Sequence, residues 1–305
     1  MAGRILVGVD GSEGSRHALR WAIGEGGVRD ATVQAVIVWQ TPYDFGEILY
    51  PVDEGKLAGA ARDVLDGAVA AVTGGSPSER LETLVLKGDP AQVLCTRAGD
   101  GDLLVVGSRG HGTFAGLLLG SVSSKCAHHS PGPVVIVPQQ ALRGAPSARI
   151  VVGVDGSEGS RRALRWSVAE AKARGAAVEA ISVWRGVEDP EMALEFQSFP
   201  TIGRQERALP ERARQRVADA VTGAAAESAT VKVEPLAVEG DPAQVLCSRS
   251  SDADLLVVGS RGHGTFVGLL LGSVSVKCAH HSRCPVVIVP SDERDDPSFV
   301  AATEA

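Results

Sequence analysis

Two glycine-rich stretches of the chain carry residues that could bind an anion. Gly107 to Ser121 reads GSRGHGTFAGLLLGS, and Gly259 to Ser273 reads GSRGHGTFVGLLLGS. Each stretch follows an apolar run typical of a buried parallel strand and precedes a segment of helical character. The final Gly-Ser pair therefore falls at a helix N-terminus, where backbone N–H groups and the positive end of the helix dipole favour a phosphate.

The spacing of these glycines differs from the common phosphate-binding motifs. The P-loop requires a lysine after its last glycine, and the dinucleotide fingerprint requires a shorter spacing than the G-x2-G-x9-G-S found here. A single glycine-rich loop is usually only a turn. Because the same spacing occurs twice between a strand and a helix, we favour nucleotide phosphates over an ordinary tight loop.

Several polar side chains of the two loops could contact such a phosphate. The serine hydroxyls near the helix start could bind phosphate oxygens or Mg²⁺, or could cap the helix. The arginines could pair with phosphate or be solvated, and the histidines have no carboxylate partner at a fixed spacing, which favours a contact or surface role over that of a base. These candidates are Ser108, Arg109, His111, Gly112, Ser121 and Ser123 in the first copy and Ser260, Arg261, His263, Gly264, Ser273 and Ser275 in the second.

An aspartate ends the first apolar strand of each copy. Asp10 and Asp155 could accept hydrogen bonds from sugar hydroxyls, or could form an Asx-turn or cap with the Gly-Ser that follows. Gly8 and Gly153 lie inside the same strands, where glycine indicates either the close approach of a ligand or simple packing space.

Near the ends of the second strands, Val38 and Val183 could offer backbone groups to an adenine edge, or could be ordinary core valines. A metal site is not favoured at Cys126-Ala127-His128-His129 or in its repeat, because histidines near a helix C-terminus suit the dipole and the ligand set is incomplete. A nucleophile elbow and a P-loop lysine are both missing from the sequence, so serine-hydrolase and P-loop kinase chemistry are unsupported.

The elements that must position these residues alternate along each copy. In the first copy we predict strands at 5–9, 32–39, 81–86, 103–106 and 133–137, and helices at 16–23, 53–72, 90–97 and 121–129. Such alternation predicts an α/β fold with a doubly wound five-stranded parallel sheet. We place the strands in the order 3-2-1-4-5, so that the site lies in the crevice between the carboxyl ends of strands one and four.

Internal repetition sets the domain organisation. Residues 4–15 correspond to 149–160, and 32 of the 36 positions from 103 to 138 are identical to those from 255 to 290. The offset grows from 145 to 152, so the second copy carries seven extra residues between Trp184 and Gly240. We therefore predict two tandem domains of this α/β class, at 1–140 and 148–292, followed by a C-terminal tail at 293–305.

Composition narrows the class of function. The formal net charge of −7 argues against nucleic acid and anionic membrane as partners. No apolar run is long enough to span a bilayer and no signal peptide is evident, so we expect a cytoplasmic protein. The cysteines at equivalent repeat positions would be held apart in separate domains, which favours reduced thiols.

The quoted motifs make the chain resemble a tandem universal stress protein of the ATP-binding branch. The resemblance covers nearly all of both halves, including the strands ending Val9-Asp10 and Val154-Asp155, the complete glycine loops and the two PVVIVP strands. It implies that ATP is the ligand, with the loop on the phosphates, the strand-one aspartate on the ribose and the end of strand two near the adenine. Mg²⁺ held through Ser121 and Ser273 would fit such a site. Residue by residue, the resemblance carries these roles to Asp10, Val38, Gly107, Gly110, Gly120, Ser121 and Val122, and to Asp155, Val183, Gly259, Gly262, Gly272, Ser273 and Val274.

We expect a nucleotide-dependent regulator in a stress response, whose protein partner the sequence does not name. The alternatives are a slow ATP-hydrolysing enzyme and a nucleotide-independent scaffold. Residues 40–55 and 185–207 differ most between the copies and could form lids. The apolar fifth strands lie at predicted sheet edges, which favours an intrachain pseudo-dimer and association of two chains into a homodimer.

Overall fold

The computed structural model describes residues 3–41, 53–76, 79–99, 101–110, 119–139, 147–186, 209–225, 230–262 and 271–290. The chain forms two compact units, one on residues 1–139 and one on residues 140–291. No helix within the described ranges is both long and apolar enough to cross a membrane.

The first unit is a parallel sheet with helices between its strands. Its elements are β1 (Ile5–Gly8), α1 (Glu13–Arg29), β2 (Val33–Trp39), α2 (Glu54–Thr73), β3 (Leu81–Lys87), α3 (Pro90–Arg97), β4 (Leu103–Gly107), α4 (Ser121–His129) and β5 (Val134–Val137). Strand β1 pairs in parallel with β2 and β4, β2 pairs with β3, and β4 pairs with β5. The predicted order 3-2-1-4-5 is therefore confirmed in this unit.

The second unit repeats this arrangement. Its elements are β6 (Arg149–Gly153), α5 (Glu158–Arg174), β7 (Ala177–Trp184), α6 (Leu209–Ala225), β8 (Val233–Glu239), α7 (Pro242–Arg249), β9 (Leu255–Gly259), α8 (Ser273–His281) and β10 (Val286–Val289). Strand β6 pairs with β7 and β9, β7 pairs with β8, and β9 pairs with β10, all in parallel. The predicted fold class of tandem doubly wound α/β domains is confirmed.

The central strands are apolar throughout because helices cover both faces of each sheet. Leu6 and Leu104 are fully buried in the first unit, as are Val151 and Leu256 in the second. In the first unit α1 packs beside α2, and α3 packs beside α4. The strand order reverses between β1 and β4. A crevice therefore forms at the carboxyl ends of these two strands.

Local sequence signals define most helix ends. Ser12 caps α1, Asp53 caps α2, and Asp89 caps α3 with Pro90 in the first turn. Helix α1 is longer than the predicted 16–23, because it begins at Glu13 and continues to Arg29. It passes through Gly26, where a Cβ atom would lie 2.6 Å from Val33 Cγ2, so this glycine lets the helix approach β2.

The five cysteines are free thiols. Four of them, Cys95, Cys126, Cys278 and Cys284, are buried, and Cys247 is half-buried. The hydrogen bond that the Cys126 thiol shares with Cys95 favours its protonated form, and together with burial it raises the pKa of Cys126 well above its ordinary value. The contact joins α3 to α4, so thiols that are distant in sequence meet within one unit.

Candidate functional site

Each unit has a cleft at the carboxyl ends of its first and fourth strands. The cleft of the first unit has a volume of about 530 Å³, and that of the second unit has a volume of about 510 Å³. The structure brings most of the predicted site residues together in these clefts. They are Gly8, Asp10, Val38, Gly107, Arg109, Gly110, Gly120, Ser121, Val122 and Ser123 in the first, and Gly153, Asp155, Val183, Gly259, Arg261, Gly262, Gly272, Ser273, Val274 and Ser275 in the second.

One wall of the cleft is the start of a helix that no described side chain caps. The N-cap of α4 is Gly120, whose own N–H donates to Ser108 O at 3.0 Å and so returns the loop to the end of β4. In the second unit Gly272 caps α8, and its N–H donates to Ser260 O at 2.8 Å. The serines therefore do not serve as the N-caps, and the first-turn N–H groups of both helices lie at the cleft.

The two serines of each first turn have different positions. Ser123 is buried, and its hydroxyl donates to Gly107 O at 2.6 Å, while Ser275 donates to Gly259 O at 2.7 Å. These bonds tie the helix start to the end of the fourth strand. Ser121 and Ser273 are exposed and line the cleft, which leaves them as the hydroxyls best placed for a ligand or its metal ion.

Gly107 and Gly259 allow a close approach between backbones. A Cβ atom on Gly107 would lie 2.7 Å from Gly14 C, and one on Gly259 would lie 2.9 Å from Gly159 C. Both Gly14 and Gly159 are in the first turn of the helix after strand one. The first glycine of each loop therefore serves the packing of a helix against a strand end, besides lining the cleft.

The aspartates line the clefts and form the Asx-turn that was the alternative interpretation. Asp10 Oδ1 accepts from Ser12 N at 2.9 Å, and Asp155 Oδ1 accepts from Ser157 N at 2.9 Å and from Ser157 Oγ at 2.6 Å. The Oδ2 atom of each faces the glycine loop, because a Cβ on Gly110 would collide with Asp10 and one on Gly262 with Asp155. Each carboxylate thus lies against the glycine loop and lines the same cleft as the helix start.

Apolar side chains make up much of the remaining lining of each cleft. Val38 and Val183 are half-buried at its edge, near the ends of the second strands. The spaces beside Gly8 and Gly153 are filled by leucine side chains, since a Cβ on these glycines would lie 3.0 Å from Leu94 Cδ1 and 2.9 Å from Leu246 Cδ1. The two strand glycines therefore give space to leucine side chains, and their contact with a ligand stays a prediction.

Sequence reasoning missed several lining residues. Those of the first cleft include Ser15, Val36, Pro90, Leu94 and Val106, and those of the second include Ser160, Ile181, Pro242, Leu246 and Val258. One signal could have found some of them, because Val36 and Val38 are two apart on one strand and so share a face of the sheet. The leucines come from α3 and α7, whose faces are set only by tertiary packing.

The structure does not describe every residue predicted for the site. His111, Gly112, His263 and Gly264 lie outside the described residues, as do 42–52 and 187–208, which make up most of the predicted lids. Ser108 and Ser260 are described and buried at the strand ends. Within the ranges described, no cluster of three or more His, Cys, Asp and Glu side chains could hold a metal ion.

Comparison with known proteins places the chain in a family. The model of the universal stress protein family matches residues 1–138 and 147–290. A universal stress protein of Mycolicibacterium smegmatis is 32% identical over 297 residues, which cover 93% of this chain and 96% of that protein. One from Mycobacterium tuberculosis is 31% identical over 299 residues, with 93% and 95% covered.

A solved structure supports the same fold. The crystal structure of a universal stress protein from Archaeoglobus fulgidus superposes with a TM-score of 0.63 at 20% identity, covering 94% of this chain and 96% of that one. Because the family model matches both halves and a relative above 30% identity spans almost the whole chain, this protein belongs to the universal stress protein family.

Proposed function

We propose that each unit binds one ATP molecule in its cleft and that the protein acts as a nucleotide-dependent regulator in a stress response. The observation that carries the proposal is the set of groups that line each cleft together. A helix start without a described side-chain cap, an aspartate carboxylate and apolar side chains surround the same volume. A nucleotide has the matching parts, which are an anionic phosphate chain, a sugar with hydroxyls and an apolar base.

The phosphates would lie at the first turns of α4 and α8. The backbone N–H groups there and the helix dipole stabilise negative charge. Ser121 and Ser273 are exposed beside these turns, where their hydroxyls would hold a Mg²⁺ ion that the phosphates bring. The ion would supply further neutralisation of the phosphate charge.

The sugar and base would lie along the other wall. The carboxylates of Asp10 and Asp155 are acceptors for ribose hydroxyls, and their loop hydrogen bonds hold them in place. Val38 and Val183 at the strand ends would contact the adenine, with Leu94 and Leu246 on the floor of each cleft. A cytoplasmic location, fifth-strand pairing between the units and a homodimer stay predictions that accompany this proposal.

Nucleotide counting on the purified chain tests the proposal. We expect about two nucleotides released per chain on denaturation, one for Gly120→Ala or Gly272→Ala, and none for the double variant. The protein itself tolerates a methyl group at Gly120, because the nearest heavy atom would be 3.5 Å away and φ is −65°. A loss of binding in Gly120→Ala would therefore come from a methyl group where backbone must meet phosphate. At Gly272 the added Cβ would lie 3.3 Å from Ser260 O, so Gly120→Ala is the cleaner of the two variants.

The control is Gly67→Ala in α2, where a Cβ would meet nothing within 4 Å. This variant should keep both nucleotides. Retention of two nucleotides by the double variant would refute the assignment of the loops. Steady-state turnover at or above about 1 per second, the lower end of the usual range for enzymes, would contradict the regulatory role.

A further inference from the structure

A second groove lies in the second unit outside the cleft just described. It is between α5 and α6 and has a volume of about 540 Å³. Four arginines line it: Arg161 and Arg165 come from α5, and Arg212 and Arg216 come from α6. So many guanidinium groups along one small groove distinguish it from an ordinary helix-helix seam, which is apolar.

The acidic side chains nearby balance only part of this charge. Glu158 accepts from Arg165 at 2.8 Å and from Arg161 at 3.3 Å, and Arg165 foremost holds the pKa of that carboxyl below its ordinary value. Asp219 also lines the groove and accepts from Gln215 at 2.7 Å. Among the described residues, four arginines against these two carboxylates leave an excess of two positive charges.

Among the described residues, the two arginines of α6 have weaker hydrogen-bond and ion-pair partners than the two arginines of α5. Arg216 Nη1 makes a long contact of 3.4 Å to Ser182 Oγ. Arg212 is exposed and has no hydrogen-bond or ion-pair partner among the residues that the structure describes. Their donors therefore remain available to a ligand in the groove.

The first unit lacks the same charge at the equivalent positions. Its α1 keeps Arg16 and Arg20, which correspond to Arg161 and Arg165 at the offset of 145. Helices α2 and α6 end 152 positions apart, and at that offset Ala60 and Val64 stand where α6 has Arg212 and Arg216. The basic groove is thus a property of one repeat, which makes the other repeat an internal reference.

The groove adjoins the loop that carries Asp155. Gly156 lines the groove and has a φ of +89°, and a Cβ at this position would lie 3.1 Å from Arg216 Cδ. The stem of Arg216 therefore lies over the residue that follows Asp155. The groove and the cleft of the second unit therefore adjoin at Asp155 and Gly156.

We propose that this groove binds a small anion carrying two or more phosphate groups, at a site separate from the cleft. Guanidinium groups present paired donors that match phosphate oxygens, and several of them around one volume suit a compound with more than one phosphate. The volume falls within the range of small-molecule sites rather than that of a macromolecular surface. The proposal does not depend on ATP binding in the clefts.

Titration with inorganic tripolyphosphate tests this site. The starting protein is the full chain with Gly120→Ala and Gly272→Ala, so that binding at the helix starts does not mask the groove. Calorimetry should show one tripolyphosphate per chain, and addition of Arg212→Gln with Arg216→Gln should weaken it at least about tenfold, because charge-assisted hydrogen bonds are lost. The affinity should fall with rising salt.

The matched control is Arg214→Gln, which removes the same charge from the same helix at a residue that does not line the groove and pairs with Glu211. Its affinity should stay within about twofold of the starting protein, since exposed pairs contribute little. The proposal is overturned if tripolyphosphate does not bind to the starting protein, or if the two α6 substitutions leave its affinity unchanged. Binding of poly-glutamate but not of tripolyphosphate would also overturn it, in favour of an acidic protein partner.

Discussion

The two clefts of the chain are alike on the side of the glycine loop and different on the side of the aspartate. On the first side the same hydrogen bonds recur within 0.2 Å, from Ser123 to Gly107 at 2.6 Å and from Ser275 to Gly259 at 2.7 Å. On the second side, Gly11 O accepts from Arg16 at 2.9 Å, whereas Gly156 N donates to Ser160 Oγ at 3.2 Å. The helix start is built from backbone and one serine, and both repeats keep it.

This difference indicates where the two units can diverge in function. The loop after strand one can be held by different neighbours without moving its aspartate, as the equal 2.9 Å bonds of Asp10 and Asp155 show. In the second unit one such neighbour, Arg216, belongs to the basic groove. The repeats therefore share the hydrogen bonds that hold the helix start and the aspartate, and they differ in the side chains that contact the loop after strand one.

The largest loss of stability should come from breaking a buried ion pair that both repeats share. Arg29 Nε pairs with Glu25 at 2.6 Å and Arg174 Nε pairs with Glu170 at 2.5 Å, and both carboxylates are almost completely buried. Arg29→Met and Arg174→Met should each lower the free energy of unfolding by about 3 kcal/mol, because a buried carboxylate loses its guanidinium partner. Denaturant titration of each variant measures this loss.

The control for both is Arg214→Met, whose ion pair with Glu211 is exposed at both ends. It should change the free energy of unfolding by less than about 0.5 kcal/mol. If the two buried pairs gave losses as small as the control, or losses that differ strongly from each other, the equivalence of the repeats at these positions would be wrong.

A smaller loss should follow from crowding the strand end. Gly107→Ala and Gly259→Ala place a methyl group against the backbone of Gly14 and Gly159, so each should cost about 2 kcal/mol of unfolding free energy through overpacking. Gly120→Ala, whose methyl group makes only ordinary contacts, is the comparison within the same loop. Equal stability of Gly107→Ala and Gly120→Ala, measured by thermal unfolding, would show that the first glycine is not required for packing.

The sequence was sufficient to predict the strands and their order. The short apolar runs around Leu6 and Leu104 are typical of buried strands. Their alternation with helices restricts the topology of the sheet. The extent of α1 was not predictable, because Gly24, Gly26 and Gly27 disfavour a helix locally. Tertiary packing overrides that preference, and at Gly26 it needs the glycine.

The site was predictable where backbone geometry defines it. The glycine spacing predicted the position of Gly120 at the helix start, and the aspartate at the strand end predicted a carboxylate in the same cleft. The floor was not predictable, because Leu94 and Leu246 reach the cleft from helices whose orientation depends on the whole unit. The same holds for the groove of Arg212 and Arg216, which exists only because α5 and α6 are neighbours.

The smallest effect should separate the repeats at the caps of α3 and α7. Asp241 caps α7 and pairs with Arg185 at 2.6 Å and Lys277 at 3.9 Å, whereas Asp89 caps α3 and pairs with Lys125 at 3.3 Å, with Gln40 at the position of Arg185. Burial raises the pKa of Asp241, but the hydrogen bond from Gln244 N and the charges of Lys277 and Arg185 outweigh it and hold this pKa below its ordinary value of 3.8.

Replacement by asparagine isolates the charge, because asparagine caps a helix about as well as aspartate. A folded-state pKa below the unfolded value means that the charge stabilises the fold at pH above 3.8 and that this stabilisation is lost as the pH falls through the lower, folded-state pKa. At pH 7 Asp241→Asn should therefore lower the free energy of unfolding by about 0.5 kcal/mol, a value kept small by partial solvent screening, and Asp89→Asn should lower it less.

Denaturant unfolding at pH 7 and at pH 3 measures both variants, and the cost of Asp241→Asn should shrink at the lower pH. An equal cost for the two variants at pH 7, or a cost for Asp241→Asn that grows as the pH falls, would show that Arg185 does not distinguish the second repeat at this cap.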